Sequence, residues 1–175
     1  METSSIGPRP QARLEIVEEH LRLENAHDLE GVLRTFGPEA RYDDEPWNDH
    51  RVGRDQVRSY YEELMAASSD FQIDVVNRYV APEAAILDVV IHGSHTGPWR
   101  GLPATGRSFS FPLCGVFTFD SEDRIFGEKI FYDRATVLRQ LGVFREPTTL
   151  LGRALIVVNH PLTLAEALGR SLLPR

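Results

Sequence analysis

Residues Ile125–Asp133 read IFGEKIFYD, a short stretch with the makings of proton chemistry. If it is a strand, alternation puts Lys129, Phe131 and Asp133 on one face and Glu128, Ile130 and Tyr132 on the other. The first set is expected to face the interior. Lys129 and Asp133 would then stand about 13 Å apart, too far for an ion pair but suited to holding a guest between them. An aspartate enclosed by apolar walls loses solvation and its pKa rises, so Asp133 could exchange a proton with a carbon acid near neutral pH. The same carboxylate is also placed to cap a helix starting near Ala135. Lys129 is the one lysine beside 18 arginines. It could polarise a carbonyl, stabilise an enolate or form a Schiff base, or it is an ordinary ion-paired strand lysine.

Other candidates lie upstream. His95 ends a strand before a glycine-rich loop and is a candidate pocket donor or proton shuttle, with loop organisation as its structural alternative. His92, three residues earlier, points to the opposite face, so the two histidines do not make a metal pair. Cys114 has no histidine close by in sequence and reads as a small hydrophobe of the pocket wall rather than a nucleophile. Trp47, Tyr60 and Trp99 are large enough to wall an apolar ligand, or simply to pack a core.

These residues need elements to position them. Leu14, Val17 and Leu21 mark an amphipathic helix from Arg13 to Ala26, and Asp28 can cap a second over Leu29–Phe36, ended by Gly37-Pro38. A short strand follows over Ala40–Asp43, then a polar loop containing Trp47. Val57, Tyr60, Tyr61, Leu64 and Met65 lie on one face of a third helix over Asp55–Ala67. Beyond Ser69 the period drops to two, with Phe71, Ile73 and Val75 on one side. A returning strand runs over Ala84–His95, and the loop Thr96–Gly106 precedes a long alternating strand, Ser108–Asp120. Phe109, Phe111, Leu113, Phe117 and Phe119 share one parity there, and Pro112 and Gly115 are natural bend points. The strand Ile125–Asp133 and a short helix, Ala135–Leu141, complete the domain. Three helices followed by a run of antiparallel strands give an α+β layer in which helices cover a curved sheet.

Composition narrows the function. A net charge of -7 and a pI near 5.4 argue against binding nucleic-acid phosphates. A single cysteine rules out an intrachain disulfide framework, and a cytoplasmic location is expected. Residues 1–10 are expected to be a flexible lead-in without a signal-like apolar run. The longest late apolar stretch, Leu150–Val158, is far shorter than a bilayer span. Residues 146–175 form a separate helical extension, in which Thr163 and Glu166 have capping-box spacing. It is expected to pack on the same chain, on a partner subunit or on a membrane surface.

The segments His95-Thr96-Gly97-Pro98-Trp99, Gly101-Leu102-Pro103-Ala104-Thr105-Gly106-Arg107, Phe117-Thr118-Phe119-Asp120 and Ile125–Asp133 through Gln140-Leu141-Gly142 resemble, in order and spacing, the SnoaL-like polyketide cyclase (ester cyclase) family of the NTF2-like superfamily. The resemblance covers about residues 11–143. It implies an NTF2-like cone, commonly a homodimer, with an apolar pocket and no metal or organic cofactor. By the same resemblance Asp133 is the acid/base of an intramolecular aldol cyclisation, while Lys129 stands where many relatives carry Trp. The expectation is a cofactor-independent cyclase or isomerase acting on a hydrophobic, polyketide-like carbonyl compound, with His95 and Lys129 assisting Asp133. The rival expectation is a noncatalytic small-molecule-binding or dimeric accessory protein. A third reading, weighed and not favoured, is epoxide hydrolysis by an Asp–Arg–Asp water-activating set.

Overall fold

The computed structural model describes residues 8–172. Helices α1 (Pro8–Asn25) and α2 (Leu29–Thr35) lead into strand β1 (Phe36–Asp44), a 3-10 turn (Glu45–Trp47) and strand β2 (Asp49–Val52). Helix α3 (Arg54–Ala67) is followed by β3 (Gln72–Val80), β4 (Ala84–Ser94), β5 (Ser108–Phe119) and β6 (Ile125–Tyr132), then by α4 (Arg134–Gln140), α5 (Leu150–Asn159) and α6 (Pro161–Leu172). The six strands form one open, curved sheet in the order β2-β1-β6-β5-β4-β3.

The expected α+β class, with helices over a curved sheet, is the observed one. Three details differ from the local reading. Residues 8–10 begin α1 instead of belonging to a loose lead-in, while residues 1–7 of that expected lead-in lie outside the described residues. Gly37-Pro38 does not merely stop α2, because β1 already runs through it, and the polar segment after Trp47 adds β2 as an edge strand. The sheet is also not wholly antiparallel. β1 joins β6 in parallel, with Tyr42 opposite Glu128 and Asp44 opposite Ile130, because helix α3 and strands β2 to β5 separate these strands and let the chain return in the same sense.

The concave face is packed by Val17 and Leu21 of α1, Val57 and Tyr61 of α3, and Leu87 and Phe117 of the sheet. Polar side chains fasten the layers. Asn25, the last residue of α1, brackets Ile73 of β3, accepting from its N–H at 2.7 Å and donating to its carbonyl at 3.0 Å. Arg13 is 7% exposed, donates to Asp123 and to the Pro82 carbonyl at 2.8 Å, and lies 4.9 Å over the Phe119 ring. One α1 residue thus joins two hairpin turns.

The loop from His95 to Arg107 is held just as closely. His95 N–H donates to Arg107 O and its carbonyl accepts from Gly106 N–H, both at 2.9 Å. Thr96 and Gly97 both donate to Ala67 O at 3.0 Å. A Cβ on Gly97 would fall 1.9 Å from Ala66 O, so the glycine of the His-Thr-Gly motif is required by close approach to α3. Beyond the sheet, α5 and α6 leave Leu150, Val158 and Leu162 more than 70% exposed. Among the described residues no helix is long and apolar enough to cross a membrane.

Candidate active site

Helices α1, α3 and α4 close over the sheet around a cavity walled largely by Phe71, Leu87, Phe109, Phe111, Leu113 and Phe117. The cavity volume is about 90 Å³, and its walls are those of a site for a small, largely apolar compound. The aromatic parity read along β5 is the parity that faces this cavity.

The β6 face turns out opposite to the one expected. Glu128, Ile130 and Tyr132 line the cavity, because they sit across from Phe117, Gly115 and Leu113, which occupy the inner face of β5. Lys129 and Phe131 lie opposite Val116 and Cys114 on the outer face. Lys129 pairs there with Glu45 at 3.0 Å, and that bond, with the nearby Asp43, raises its pKa. Asp133 is exposed and caps α4, accepting from Ala135 N–H at 2.9 Å and from the Thr136 hydroxyl at 2.5 Å. The Thr136 hydroxyl, aided by the backbone amides, holds its carboxyl below the usual range, the reverse of a poised acid.

Cys114 is likewise absent from the cavity lining, and Trp47 reaches it only indirectly, by packing edge-on against Trp99 at 5.2 Å. His95, Tyr60 and Trp99 do line the cavity. We expect Asp133→Ala to cost about 1 kcal/mol of stability in urea unfolding, the usual loss for a helix cap, while ligand binding in the cavity stays unchanged.

The cavity's ionisable end was not anticipated. His20, Glu24 and Glu128 are 0%, 3% and 4% exposed. His20 Nε2 lies 3.2 Å from Glu24 Oε1 and 3.3 Å from Glu128 Oε2, and Tyr61 donates to Glu128 Oε2 at 2.7 Å. On the other side of the ring, Nδ1 meets Thr35 Oγ1 at 2.7 Å, and that hydroxyl donates its own hydrogen to Val32 O. Both ring nitrogens therefore face acceptors, the pattern of an imidazolium. Burial opposes this charge, but Glu24 and Glu128 together outweigh it and raise the His20 pKa to about 10. Burial, reinforced by the charge on Glu24, raises the Glu128 pKa despite the bonds from His20 and Tyr61.

The three ligand atoms lie within 4.8 Å of one another, a spacing that a divalent cation could also use, and Nε2 in addition meets the Tyr61 hydroxyl at 3.1 Å. A signal for this cluster did exist in the sequence. His20 and Glu24 fall three and seven residues after Val17, on the stripe that must be buried, and a charged pair there demands an internal partner.

A second polar group borders the cavity through Tyr60 and Tyr132. Asp44, fully buried, accepts from Tyr60 at 3.1 Å and from Arg100 at 2.8 Å, with the Tyr132 hydroxyl at 3.5 Å. Arg100 also bonds Asp49, completing an Asp44–Arg100–Asp49 chain from residues scattered in sequence. Burial raises the Asp44 pKa against the pull of Arg100.

The family model for the SnoaL-like polyketide cyclase matches residues 14–141. The chain belongs to that family. No curated protein matches it in sequence. Among solved structures, a protein from Jannaschia sp. CCS1 assigned as a SnoaL-like polyketide cyclase superposes with a TM-score of 0.72 at 19% identity, covering 81% of this chain and 99% of its own. AclR of Streptomyces galilaeus, assigned as a hydroxylase, gives 0.68 at 19% identity over 78% of this chain and 99% of its own. SalBIII, an epoxide hydrolase/cyclase-like enzyme of pyran ring formation in the polyether salinomycin, gives 0.62 at 21% identity over 72% and 94%. At these identities the three solved structures share the fold of this chain.

Proposed function

We propose that this SnoaL-like protein is a cofactor-independent cyclase or isomerase for a hydrophobic carbonyl compound, with the Glu24–His20–Glu128 cluster as its acid/base. The observation that carries this reading is the pair of buried carboxylates lining a largely apolar cavity and bridged by one imidazolium. A carboxylate in such a setting takes a proton from the carbon next to a carbonyl, and the electron pair of the broken C–H bond moves into the enolate. The positive His20 stabilises that negative charge without leaving its place. The enolate carbon attacks a second carbonyl of the same molecule in a cyclase, and the resulting alkoxide recovers the proton. In an isomerase the proton returns to a different carbon. Atoms balance in both cases with no co-reactant.

The first half-reaction is visible without the natural substrate. In heavy water, the protein is expected to accelerate deuterium uptake at the acidic α-carbons of 2-tetralone, followed by proton NMR. A rate equal to that of buffer, with tetralone demonstrably bound, would reject the catalytic reading. The alternative, a carrier of a lipophilic ligand, is favoured by one observation: the cluster's hydrogen bonds are satisfied internally, as in a purely structural network. For assembly, we infer a homodimer formed on the outer sheet face, where Val76, Tyr79 and Phe131 are 57%, 52% and 45% exposed.

A further inference from the structure

His95 is 2% exposed and lines the cavity, and its Nε2 is buried without a hydrogen-bond partner. The other ring nitrogen is committed. Nδ1 accepts from the Thr105 backbone N–H at 3.3 Å and lies 3.1 Å from the Thr105 hydroxyl. A backbone amide can only donate, so Nδ1 is the acceptor and the ring proton resides on Nε2. Burial lowers the His95 pKa, which keeps the ring neutral near pH 7. The backbone bonds to Gly106 and Arg107, with Trp99 edge-on at 6.5 Å, fix the ring. Other polar groups of the lining are engaged: the Tyr60 hydroxyl donates to Asp44 and the Ser68 hydroxyl to Asp70. A buried N–H with no acceptor is unfavourable, and a ligand oxygen would satisfy it.

We infer that His95 Nε2–H, beside Trp99, is the recognition subsite for a neutral carbonyl oxygen at the end of the cavity away from the carboxylates. A carboxylate oxygen is disfavoured there by the wall, which carries Glu24 and Glu128 and, among the described residues, no Arg or Lys. Length follows from α3. Tyr61 touches Glu128, whereas Ala67 holds the loop that begins at His95, and six residues of helix rise about 9 Å. A ligand that meets both ends is therefore an elongated, non-anionic compound with a carbonyl oxygen on His95 and its far end beside Glu24 and Glu128. This assignment rests on the cavity being the ligand site of the proposed function, but not on proton exchange by the carboxylates.

The test uses the full chain and two probes of nearly equal shape, 2-acetylnaphthalene and 2-isopropylnaphthalene, titrated into wild type and His95→Phe. The substitution should weaken the ketone about fivefold to tenfold and leave the hydrocarbon within twofold. Equal effects on both probes, or on neither, overturn the assignment. Nitrogen-15 NMR of histidine-labelled wild type supplies a readout independent of any variant's folding. It should show a protonated Nε2 and an unprotonated Nδ1 on His95, with the Nε2 resonance moving on addition of the ketone and not of the hydrocarbon. A protonated Nδ1 or an insensitive Nε2 also overturns it. Glu128→Gln should retain the His95-dependent preference for the ketone. Loss of deuterium exchange with that preference intact would concern the carboxylates alone.

Discussion

Glu128→Gln is expected to lower the rate of deuterium uptake into 2-tetralone by about 10²- to 10⁴-fold, the usual range for losing a positioned acid or base. Glutamine keeps the length of the side chain and an oxygen that can accept from Tyr61, so the helix–sheet contact at 2.7 Å has a replacement partner. It cannot gain or lose a proton. His20 retains Glu24 at 3.2 Å, and the imidazolium is not left alone in the core. The expected pattern is a large fall in rate with nearly unchanged tetralone affinity and a cooperative unfolding transition. Binding and rate falling together in an unfolded sample would be uninformative, so the measurement is paired with Glu24→Gln. One of the two variants must lose exchange while remaining folded. If both stay folded and both exchange as wild type does, the cluster is structural and the carrier reading replaces the enzymatic one.

Replacing His20 by Gln should have the largest effect on stability, about 3–5 kcal/mol at pH 7, because it removes the cation between two buried carboxylates. The ring also has edge contacts with Phe36 at 5.3 Å and Phe117 at 5.8 Å, which glutamine cannot reproduce. The pH dependence separates charge from packing. A histidine whose folded pKa is raised to about 10, against about 6.5 unfolded, holds a proton in the native state that the unfolded chain releases. Its stabilisation is fully present below pH 6.5 and is lost as pH rises towards 10, at a limiting slope of about 1.4 kcal/mol per pH unit. Urea unfolding across that window should show wild type losing stability along this slope and His20→Gln losing much less. On acidification the deficit of the variant should shrink, since Glu128, whose pKa burial raises, no longer needs a cation once it is protonated. A deficit independent of pH would mean that packing, not charge, is what His20 contributes.

Both experiments target residues that a local reading of the chain passes over, and the reason lies in what periodicity can say. From Glu128 to Asp133 both alternating triplets mix charged residues with aromatic or aliphatic companions, Lys129–Phe131–Asp133 against Glu128–Ile130–Tyr132. Alternation says that they face opposite ways and is silent on which way is in. The register with β5 resolves it, since Glu128 must share a face with Phe117 and Ile130 with Gly115. The long aromatic parity of β5 carried that information, and the turn at Asp120–Asp123 connects the two strands, but a register shift at Thr118/Phe119 breaks simple counting across the hairpin. His95 was legible because a histidine at a strand end before a close-packed glycine loop has few places to go. Asp133 was legible as a cap and misplaced as a catalyst, since the residue that ends a strand also starts the next helix.

By itself the amino-acid sequence determined the order of the core helices and of five of the six strands, the aromatic inner face of β5, the glycine loop after His95 and, through its motifs, the family. Those features depend on neighbours within a few residues, where dihedral preferences and alternation act. The tertiary structure alone decided that His20 and Glu24 meet Glu128 across more than 100 residues of chain, that Arg100 joins Asp44 to Asp49, and that Lys129, Cys114 and Asp133 look outward. Contacts of that kind are set by strand register and by which layer covers which face, and buried charges settle where opposite charges and hydrogen bonds offset their lost hydration.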